Sequence, residues 1–240
     1  MEVFHPESKF DFIKGEVLLI HKPCSWTSFD VVNKIRRLIR RTHDIRKIKV
    51  GHAGTLDPMA SGLLIICTGK ATKTIDRFSD MDKEYTGTMV LGAVTPSYDT
   101  ETQVSRRFGT KTLTARRIHD AMQTFRGEII QYPPVFSAVK IKGRRAYKFA
   151  RTDEEVTLSP RLVSIHEFTA DRIELPEVDF SVRCTKGTYI RSLVDDVGKA
   201  LQNGAYLKSL VRIKIGDYSL SEAYSMEQIE NIIISKQQKS

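Results

Sequence analysis

The sequence predicts an α+β fold with a mixed, mainly antiparallel sheet flanked by helices. Apolar segments with strand character come in consecutive pairs, without the regular alternation of strand and helix that marks a parallel α/β fold. The chain has 240 residues, of which 40% are hydrophobic, so it can bury a substantial core. No internal repeat or clear linker is visible. We therefore expect one main domain over residues 16–220, an N-terminal arm over 1–15, and a C-terminal helix and tail over 221–240.

Hydrophobic periodicity and capping residues define the elements. Leu63–Cys67 is an unbroken apolar run typical of a buried strand, whereas Lys83–Leu91 alternates as a half-buried strand does. Thr114 is a suitable helix cap, and Ser225 with Gln228 forms the pattern of a capping box. Phe29, Val32, Ile35, Leu38 and Ile39 recur at helical spacing. The predicted strands cover 16–20, 63–67, 83–91, 161–174, 178–185 and 207–215, and the predicted helices cover 29–41, 71–78, 114–125, 189–201 and a segment from 225.

Charge and cysteine content narrow the possible classes of protein. The chain carries 38 basic and 29 acidic residues, a net charge of +9 and a pI near 9.4, which favours a polyanionic partner. Its three cysteines are odd in number and far apart, which argues against a disulfide framework or a zinc site and fits a reduced cytosol. The N-terminus lacks a signal-peptide pattern, and no run reaches the ~18 apolar residues of a membrane span. A soluble, cytoplasmic protein without a metal is expected.

Two basic regions are candidates for contact with a nucleic acid. The first follows the polar face of the predicted helix 29–41 and the loop behind it. The second, 140–151, interleaves cations with Tyr147 and Phe149, a pattern that suits phosphates and exposed bases. A solvated helix face, or aromatic residues turned to the core, would explain the same patterns without RNA. The side chains that we predict to contact the RNA backbone are Arg36, Arg40, Lys142, Arg144, Arg145 and Lys148.

The stretch Gly51–Leu64 is the most informative in the chain. It places three glycines, Asp57 and Pro58 directly before the apolar run of a buried strand. Asp57 could simply cap a helix with Pro58 at the first helical position. Alternatively, the glycines let the loop press close to a ligand, and a carboxylate at the entry to a rigid strand is well placed for chemistry.

These residues resemble the catalytic motif of pseudouridine synthases, and His52–Pro58 points to the TruB family, which acts on the T-loop uridine of tRNA. The resemblance covers about 16–218 and implies the pseudouridine synthase fold, with residues 132–151 as a basic, mobile thumb that closes on the RNA. The commonest bacterial members carry a small C-terminal RNA-binding domain, whereas few residues follow Tyr218 here. Three further blocks match in the family's order: Lys22–Ser28, Lys83–Tyr85 and Lys186–Leu193.

The resemblance also implies the chemistry of the site. Conversion of uridine to pseudouridine breaks the bond from C1′ to N1 and joins C1′ to C5, which demands no redox cofactor, metal or nucleotide. It does require a carboxylate at the anomeric centre, comparable to that of a glycosidase, and Asp57 is the candidate. Attack on C1′, addition at C6 and removal of the 2′ proton all remain open as its action.

The family assigns roles to five further residues. Arg191 is expected to keep Asp57 ionised, because a desolvated carboxylate would otherwise take up a proton. Tyr85 stacks on the target base, and Tyr189 and Leu210 line the base pocket. His52 fills the space left when bases turn out of the T-loop. Without the family match, Arg191 would be read as a surface helix arginine and His52 as a structural histidine.

The expected partner is the T-arm of tRNA, bound by a monomer that works without guide RNA. A catalytic subunit of a guide-RNA ribonucleoprotein is a rival within the same superfamily, but it would require further partner-binding segments. A non-catalytic RNA-binding protein or tRNA folding chaperone is the alternative from another class.

Overall fold

The structure, a computed structural model, describes residues 3–5, 11–136, 140–141, 144–145 and 158–235. Its contacts divide the chain into two compact units. Unit 1 comprises Met1–Glu84 and Val211–Ser240, and unit 2 comprises Tyr85–Leu210.

The described residues form thirteen strands and five α-helices. The strands are β1 Val17–Lys22, β2 Val50–Ala53, β3 Ser61–Thr68, β4 Lys83–Leu91, β5 Ala93–Val94, β6 Arg106–Arg107, β7 Gly127–Gln131, β8 Lys140–Ile141, β9 Arg144–Arg145, β10 Arg161–Glu174, β11 Glu177–Cys184, β12 Ala205–Ile215 and β13 Tyr218–Ser219. The helices are α1 Ser28–Thr42, α2 Ile75–Ser79, α3 Ala115–Gln123, α4 Ile190–Ala200 and α5 Met226–Ser235, with 3-10 turns at Gly69–Thr74 and Leu220–Glu222.

Unit 1 is built on a mixed sheet around β3. This strand pairs antiparallel with β1 and β2, and parallel with β12 through Val211 and Arg212. Every residue of β3 after Ser61 is buried, as the unbroken apolar run predicted. The buried face of α1, with Val32, Ile35 and Ile39, packs in one apolar cluster with β1 and α5. Phe29 was expected on this face but is 59% exposed, because its position on the first turn lies outside the buried arc.

Unit 2 contains an antiparallel arrangement around β10. This strand pairs with β7 on one side and β11 on the other, and β4 follows β11 in the strand order. Phe168 and Phe180 meet edge to face across β10 and β11, with ring centroids 5.7 Å apart. The N-cap at Thr114 is confirmed, since its side chain accepts from the backbone of Arg117. Buried apolar residues of α4 fix that helix in the unit.

Several sequence expectations are confirmed and others are not. The strand Lys83–Leu91 agrees residue for residue, and Ser225 and Gln228 bond reciprocally as a capping box does. Strands β2 and β7 were missed. The segment Thr95–Thr102 was expected to be exposed, which is wrong: Ser97 and Asp99 are buried, because their side chains bond to one another and to neighbouring groups.

Part of what was predicted lies outside the described residues. Of the thumb over 132–151, the structure describes 132–136 and the backbone of β8 and β9, which pair antiparallel. Lys142 and Lys148 lie outside the described residues, as do the side chains of Arg144 and Arg145. Within the described ranges, no helix is both long and apolar enough to cross a membrane.

Candidate active site

Asp57 lies in the loop that joins the paired strands β2 and β3. Its side chain is half-buried, so a solvent molecule or a ligand can reach it. No helix follows Pro58; the chain turns instead, and the N–H of Ala60 donates to the Asp57 carbonyl at 3.1 Å. The structure therefore excludes the helix-cap interpretation of this motif.

Main-chain contacts hold the loop on both sides of Asp57. The Ser28 hydroxyl accepts from the N–H of Leu56 at 2.8 Å and donates to the Leu56 carbonyl at 3.1 Å, and both residues are buried. The N–H of Ser25 donates to the Pro58 carbonyl at 2.7 Å. Two residues that precede the loop in the chain, Ser25 and Ser28, thus fix its backbone on either side of Asp57. Such fixation is what a reacting group needs to keep its geometry.

The buried side chain of Arg212 connects the loop to the sheet through hydrogen bonds. Only 1% of it is exposed; its Nε donates to the Leu63 carbonyl at 2.8 Å and its Nη2 to the Gly54 carbonyl at 3.1 Å. Gly62 permits this approach, because a Cβ there would lie 2.4 Å from the Arg212 carbonyl oxygen and because its φ is +111°. We predicted that the glycines let the loop press close to a ligand; at Gly62 the observed close approach is to the backbone of Arg212.

A second buried cation lies close to the loop. Lys22 has no exposed surface, and its Nζ donates to the carbonyls of Pro23 at 2.9 Å and Trp26 at 2.5 Å. Burial lowers the pKa of Lys22 to about 8, although the negative charge of the Asp57 carboxylate acts in the opposite direction. The ammonium of Lys22 and the carboxylate of Asp57 are therefore close enough to attract each other.

His52 lies at the start of the same segment and is half-buried. Burial lowers the pKa of its imidazole, and the positive charge of Arg212 lowers it further. The ring is consequently neutral at neutral pH. A neutral aromatic ring suits the role that the family resemblance gives His52, since it can occupy the place of a base without charge.

In unit 2, Arg191 is a buried guanidinium rather than a surface arginine. It is 4% exposed, and its Nη1 donates to the carbonyls of Ser97 at 3.2 Å and Phe136 at 3.0 Å. Its Nε lies 3.5 Å from Oδ2 of Asp99, which is also buried. The side chain is therefore held by a carboxylate and two carbonyl groups, and its charge is fixed in place.

Asp99 is the residue that sequence reasoning missed. Its Oδ1 accepts from the Ser97 hydroxyl at 2.6 Å and from the N–H of Glu101 at 2.9 Å, while its other oxygen faces Arg191. The polar, turn-rich composition of the segment indicated an exposed loop. The only hint of a buried group in the sequence was the Asp itself, because polar residues surround it and no apolar run lies next to it.

The remaining predicted residues of unit 2 are also fixed. Tyr189 occupies the N-cap position of α4 without a side-chain cap bond. The buried side chain of Gln131 accepts from its N–H at 2.7 Å and donates to its carbonyl at 3.0 Å. Tyr85 and Leu210 are 8% and 7% exposed. The guanidinium of Arg161 lies 5.7 Å from the centroid of the Tyr189 ring.

The structure thus gathers the predicted residues into two sets. His52 and Asp57 lie in unit 1 with the buried cations Lys22 and Arg212. Tyr85, Tyr189, Arg191 and Leu210 lie in unit 2. The pairing of Asp57 with Arg191 stays a prediction. Among the described residues, no group of three or more His, Cys, Asp or Glu side chains could hold a metal ion.

Curated bacterial proteins resemble this chain over nearly all of its length. A tRNA pseudouridine synthase B from Flavobacterium johnsoniae is 50% identical over 221 residues, which are 92% of this chain and 96% of the relative. A protein of the same name from Parabacteroides distasonis is 48% identical over 223 residues, 93% of this chain and 95% of the relative. Another, from Chloroherpeton thalassium, is 47% identical over 221 residues, 92% and 91% of the two chains.

Solved structures show the same fold. One, of an H/ACA ribonucleoprotein bound to a substrate RNA containing 2′-deoxyuridine, has a chain 27% identical with a TM-score of 0.66, matched over 92% of this chain and 54% of that one. A Cbf5–Nop10–Gar1 complex has a chain 28% identical with a TM-score of 0.69, matched over 95% of this chain and 58% of that one. This chain therefore spans little more than half the length of these solved chains.

Family models account for most of the sequence. Residues 40–190 match the N-terminal domain of TruB family pseudouridylate synthases. Residues 191–240 match the C-terminal domain of tRNA pseudouridylate synthase B. With the relatives that are about half identical over nine-tenths of the chain, these matches establish that the chain belongs to the TruB family of pseudouridylate synthases.

Proposed function

We propose that the protein is a tRNA pseudouridine-55 synthase, an isomerase that converts the T-loop uridine of tRNA to pseudouridine. The observation that carries this proposal is the 50% identity to a tRNA pseudouridine synthase B that this chain covers over 96% of its length. The half-buried carboxylate of Asp57, on a loop fixed at both sides, supports it.

The reaction needs a carboxylate at the sugar and a way to hold the free base. The bond from C1′ to N1 breaks, the uracil turns, and C1′ joins C5. C5 then gives up its proton and N1 gains one, so the atoms of the nucleotide are conserved. Attack on C1′, addition at C6 and abstraction of the 2′ proton would each use the same carboxylate, which we assign to Asp57.

The other residues bind and orient the nucleotide. The uridine lies inside a folded loop and must be extruded, which costs a few kcal/mol. Stacking on Tyr85 offsets part of this cost, and His52 takes the vacated place among the bases. We assign stacking to Tyr85 rather than proton abstraction, because a neutral phenol is a weak base. Arg191 provides the fixed positive charge that would keep Asp57 ionised.

We propose that the enzyme acts alone, as a monomer in the cytoplasm. The solved ribonucleoprotein chains are 27–28% identical, and 54–58% of their length is matched. The bacterial relatives are close to 50% identical and are matched over more than nine-tenths of theirs. The closer and more complete similarity favours a protein that binds tRNA without guide RNA.

Replacement of Asp57 tests the proposal. T-arm RNA is incubated with the wild type and with Asp57→Asn, and pseudouridine is detected by carbodiimide-dependent primer-extension stops. We expect the variant to bind RNA but to lose turnover by about 10⁴-fold or more, the scale seen when a central catalytic group is removed. Asp76→Asn, which changes an exposed carboxylate of α2 in the same unit, is the matched control and should keep its activity.

Two outcomes would contradict the proposal in different ways. Turnover retained by Asp57→Asn would remove Asp57 from the catalytic role. A wild-type protein that refolds tRNA but forms no pseudouridine would favour the non-catalytic alternative, an RNA chaperone.

A further inference from the structure

The last turns of α1 and the loop behind it enclose an open pocket of about 340 Å³ in unit 1. Its lining residues are Arg36, Arg40, Arg46, Lys47 and Ile48. Four of the five carry a positive charge. We propose that this pocket is a discrete binding site for a backbone phosphate of the RNA, a proposal that rests on the proposed function and assigns part of the substrate to a defined place.

Arg36 is fixed in an orientation suited to an anion. Its Nη1 donates to Asn33 Oδ1 at 2.9 Å and its Nη2 to the Val50 carbonyl at 3.0 Å. A guanidinium has five N–H donors, and these contacts use two of them. The side chain therefore offers further donors to a phosphate oxygen without having to give up much conformational freedom on binding.

The loop after α1 turns back so that its cations face the same pocket. Asp44 adopts a left-handed conformation with a φ of +48°, and the N–H of Ile45 donates to the Arg40 carbonyl at 3.1 Å. Ile48 is buried in the apolar cluster that contains Ile35. The loop is thus anchored before and after Arg46 and Lys47, and their position beside α1 is built into the fold.

The charge of the pocket is strongly positive. Arg40, Arg46 and Lys47 are exposed, and none of them forms an ion pair among the residues that the structure describes. The C-terminus of a helix opposes an anion, but it is equivalent to only about −0.5 elementary charge, which four cations outweigh. An anion in the pocket would therefore be attracted.

A phosphate fits the lining better than a nucleobase does. Arginine forks bond phosphate oxygens in pairs, and such charge-assisted hydrogen bonds are the strong ones. Among the residues that the structure describes, no aromatic ring on which a base could stack lines the pocket, and the one apolar lining residue, Ile48, is buried. Backbone phosphates position an RNA without reading its sequence, so the pocket would set the register of the RNA on the protein.

Two double variants that remove equal charge test the proposal. Arg40→Ala/Arg46→Ala empties the pocket of two cations but leaves the anchored Arg36. Arg37→Ala/Arg41→Ala removes two exposed cations of α1 that do not line the pocket. The dissociation constant of T-arm RNA is measured by filter binding at one ionic strength, and circular dichroism confirms that both variants fold. We expect about a tenfold or greater loss for the first variant and about threefold or less for the second.

Competition by inorganic phosphate, at constant ionic strength, distinguishes a site for an RNA phosphate from a site for a free anion. It should weaken RNA binding more in the wild type than in Arg40→Ala/Arg46→Ala, because only the wild-type pocket is complete. Equal losses of affinity in the two double variants would overturn the proposal and indicate a diffuse electrostatic effect. The proposal would also be overturned if inorganic phosphate binding required Arg40 and Arg46 but the wild type and Arg40→Ala/Arg46→Ala bound RNA equally well. Since the readout is binding, a wild type that binds RNA but forms no pseudouridine contradicts the proposed function and leaves this comparison intact.

Discussion

At the scale of single residues, the loop of Asp57 is distinguished by two buried cations. Lys22 and Arg212 are 0% and 1% exposed, and backbone carbonyls accept hydrogen bonds from both. Burial of a charge is costly unless the charge is compensated. The lowered pKa of Lys22 shows that the cost is only partly met, even with the carboxylate of Asp57 nearby.

Lys22 should make the stability of the protein depend on pH. Its pKa falls from an ordinary 10.5 to about 8 in the folded protein. Below about pH 8 both states are protonated and the folded state carries the full burial cost. Between about pH 8 and 10.5 the unfolded state holds more protons, so the contribution of Lys22 to stability rises with pH, by about 3 kcal/mol in all.

The measurement compares the wild type with Lys22→Met, which keeps the length of the side chain but does not titrate. Urea unfolding at about pH 7.5, 9 and 10.5 gives the free energy of unfolding of each. The wild type should gain stability relative to the variant across this range. A difference between them that does not change with pH would contradict the lowered pKa.

A functional residue could be predicted from the sequence when it lies in a local motif, but not when its role depends on residues far away in the chain. Asp57 and Arg191 could be found, because each lies in a local motif with glycine and a defined neighbour. Asp99 could not, since its burial depends on Ser97 beside it and on Arg191, which is far away in the chain. The high burial of Arg212 could not be predicted either, because its side chain bonds to the carbonyls of Leu63 and Gly54, which are far away in the chain.

At the scale of elements, the loop between β2 and β3 holds Asp57 in a fixed position. Antiparallel pairing fixes its two ends, since His52 faces Ile66 and Ala53 faces Ile65. The hydroxyl of Ser28, the first residue of α1, fixes its middle through Leu56. The side chain of Ser28 therefore couples the packing of α1 to the position of the Asp57 carboxylate, which we propose to be catalytic.

Ser28→Ala should weaken the hold on the loop that carries Asp57. The change leaves the buried N–H and carbonyl of Leu56 without their hydroxyl partner, which costs about 1–3 kcal/mol. A displacement of the reacting group by about 1 Å can lower turnover by about 10²-fold. We expect a lower urea midpoint and a fall in kcat that exceeds the change in RNA affinity. Ser209→Ala, at an exposed position of β12, is the control and should alter neither; a kcat of wild-type size in Ser28→Ala would refute the coupling.

Helices and strands were predicted correctly where the sequence has a clear hydrophobic pattern or a capping residue. β3 has an unbroken apolar run, β4 alternates except at its centre, and α3 has a threonine cap; all three were predicted correctly. β2 has four residues and contains Gly51 and His52, which read as loop. β7 buries one residue of five and is paired only through β10, so its sequence carries no clear period. Tertiary pairing, not local preference, creates both strands.

At the scale of the whole molecule, the net charge of +9 matches the proposed RNA substrate. Each phosphate neutralised by a lysine or arginine releases counterions, so binding weakens as salt is added. The chemical step neither creates nor removes net charge on the nucleotide. Salt should therefore act on the encounter with RNA and hardly at all on the isomerisation.

The affinity for T-arm RNA should fall by at least about 10²-fold between roughly 50 and 200 mM salt, since six to ten phosphate contacts would give about 10³–10⁵-fold. Filter binding over this range gives the slope. Single-turnover rates at saturating RNA serve as the internal comparison and should vary by less than about threefold over the same range. An affinity that is flat with salt would mean that the basic surface makes no phosphate contacts.

Two buried cations next to the loop give Asp57 a structural role in addition to the catalytic role that we propose for it. Lys22 is drawn to the carboxylate of Asp57 and repelled by Arg212, so the acid serves as a counter-ion within the protein before any nucleotide arrives. Loss of the acid would leave two like charges in a dry interior with less to balance them. The charge balance of this interior and the proposed chemistry therefore depend on the same carboxylate.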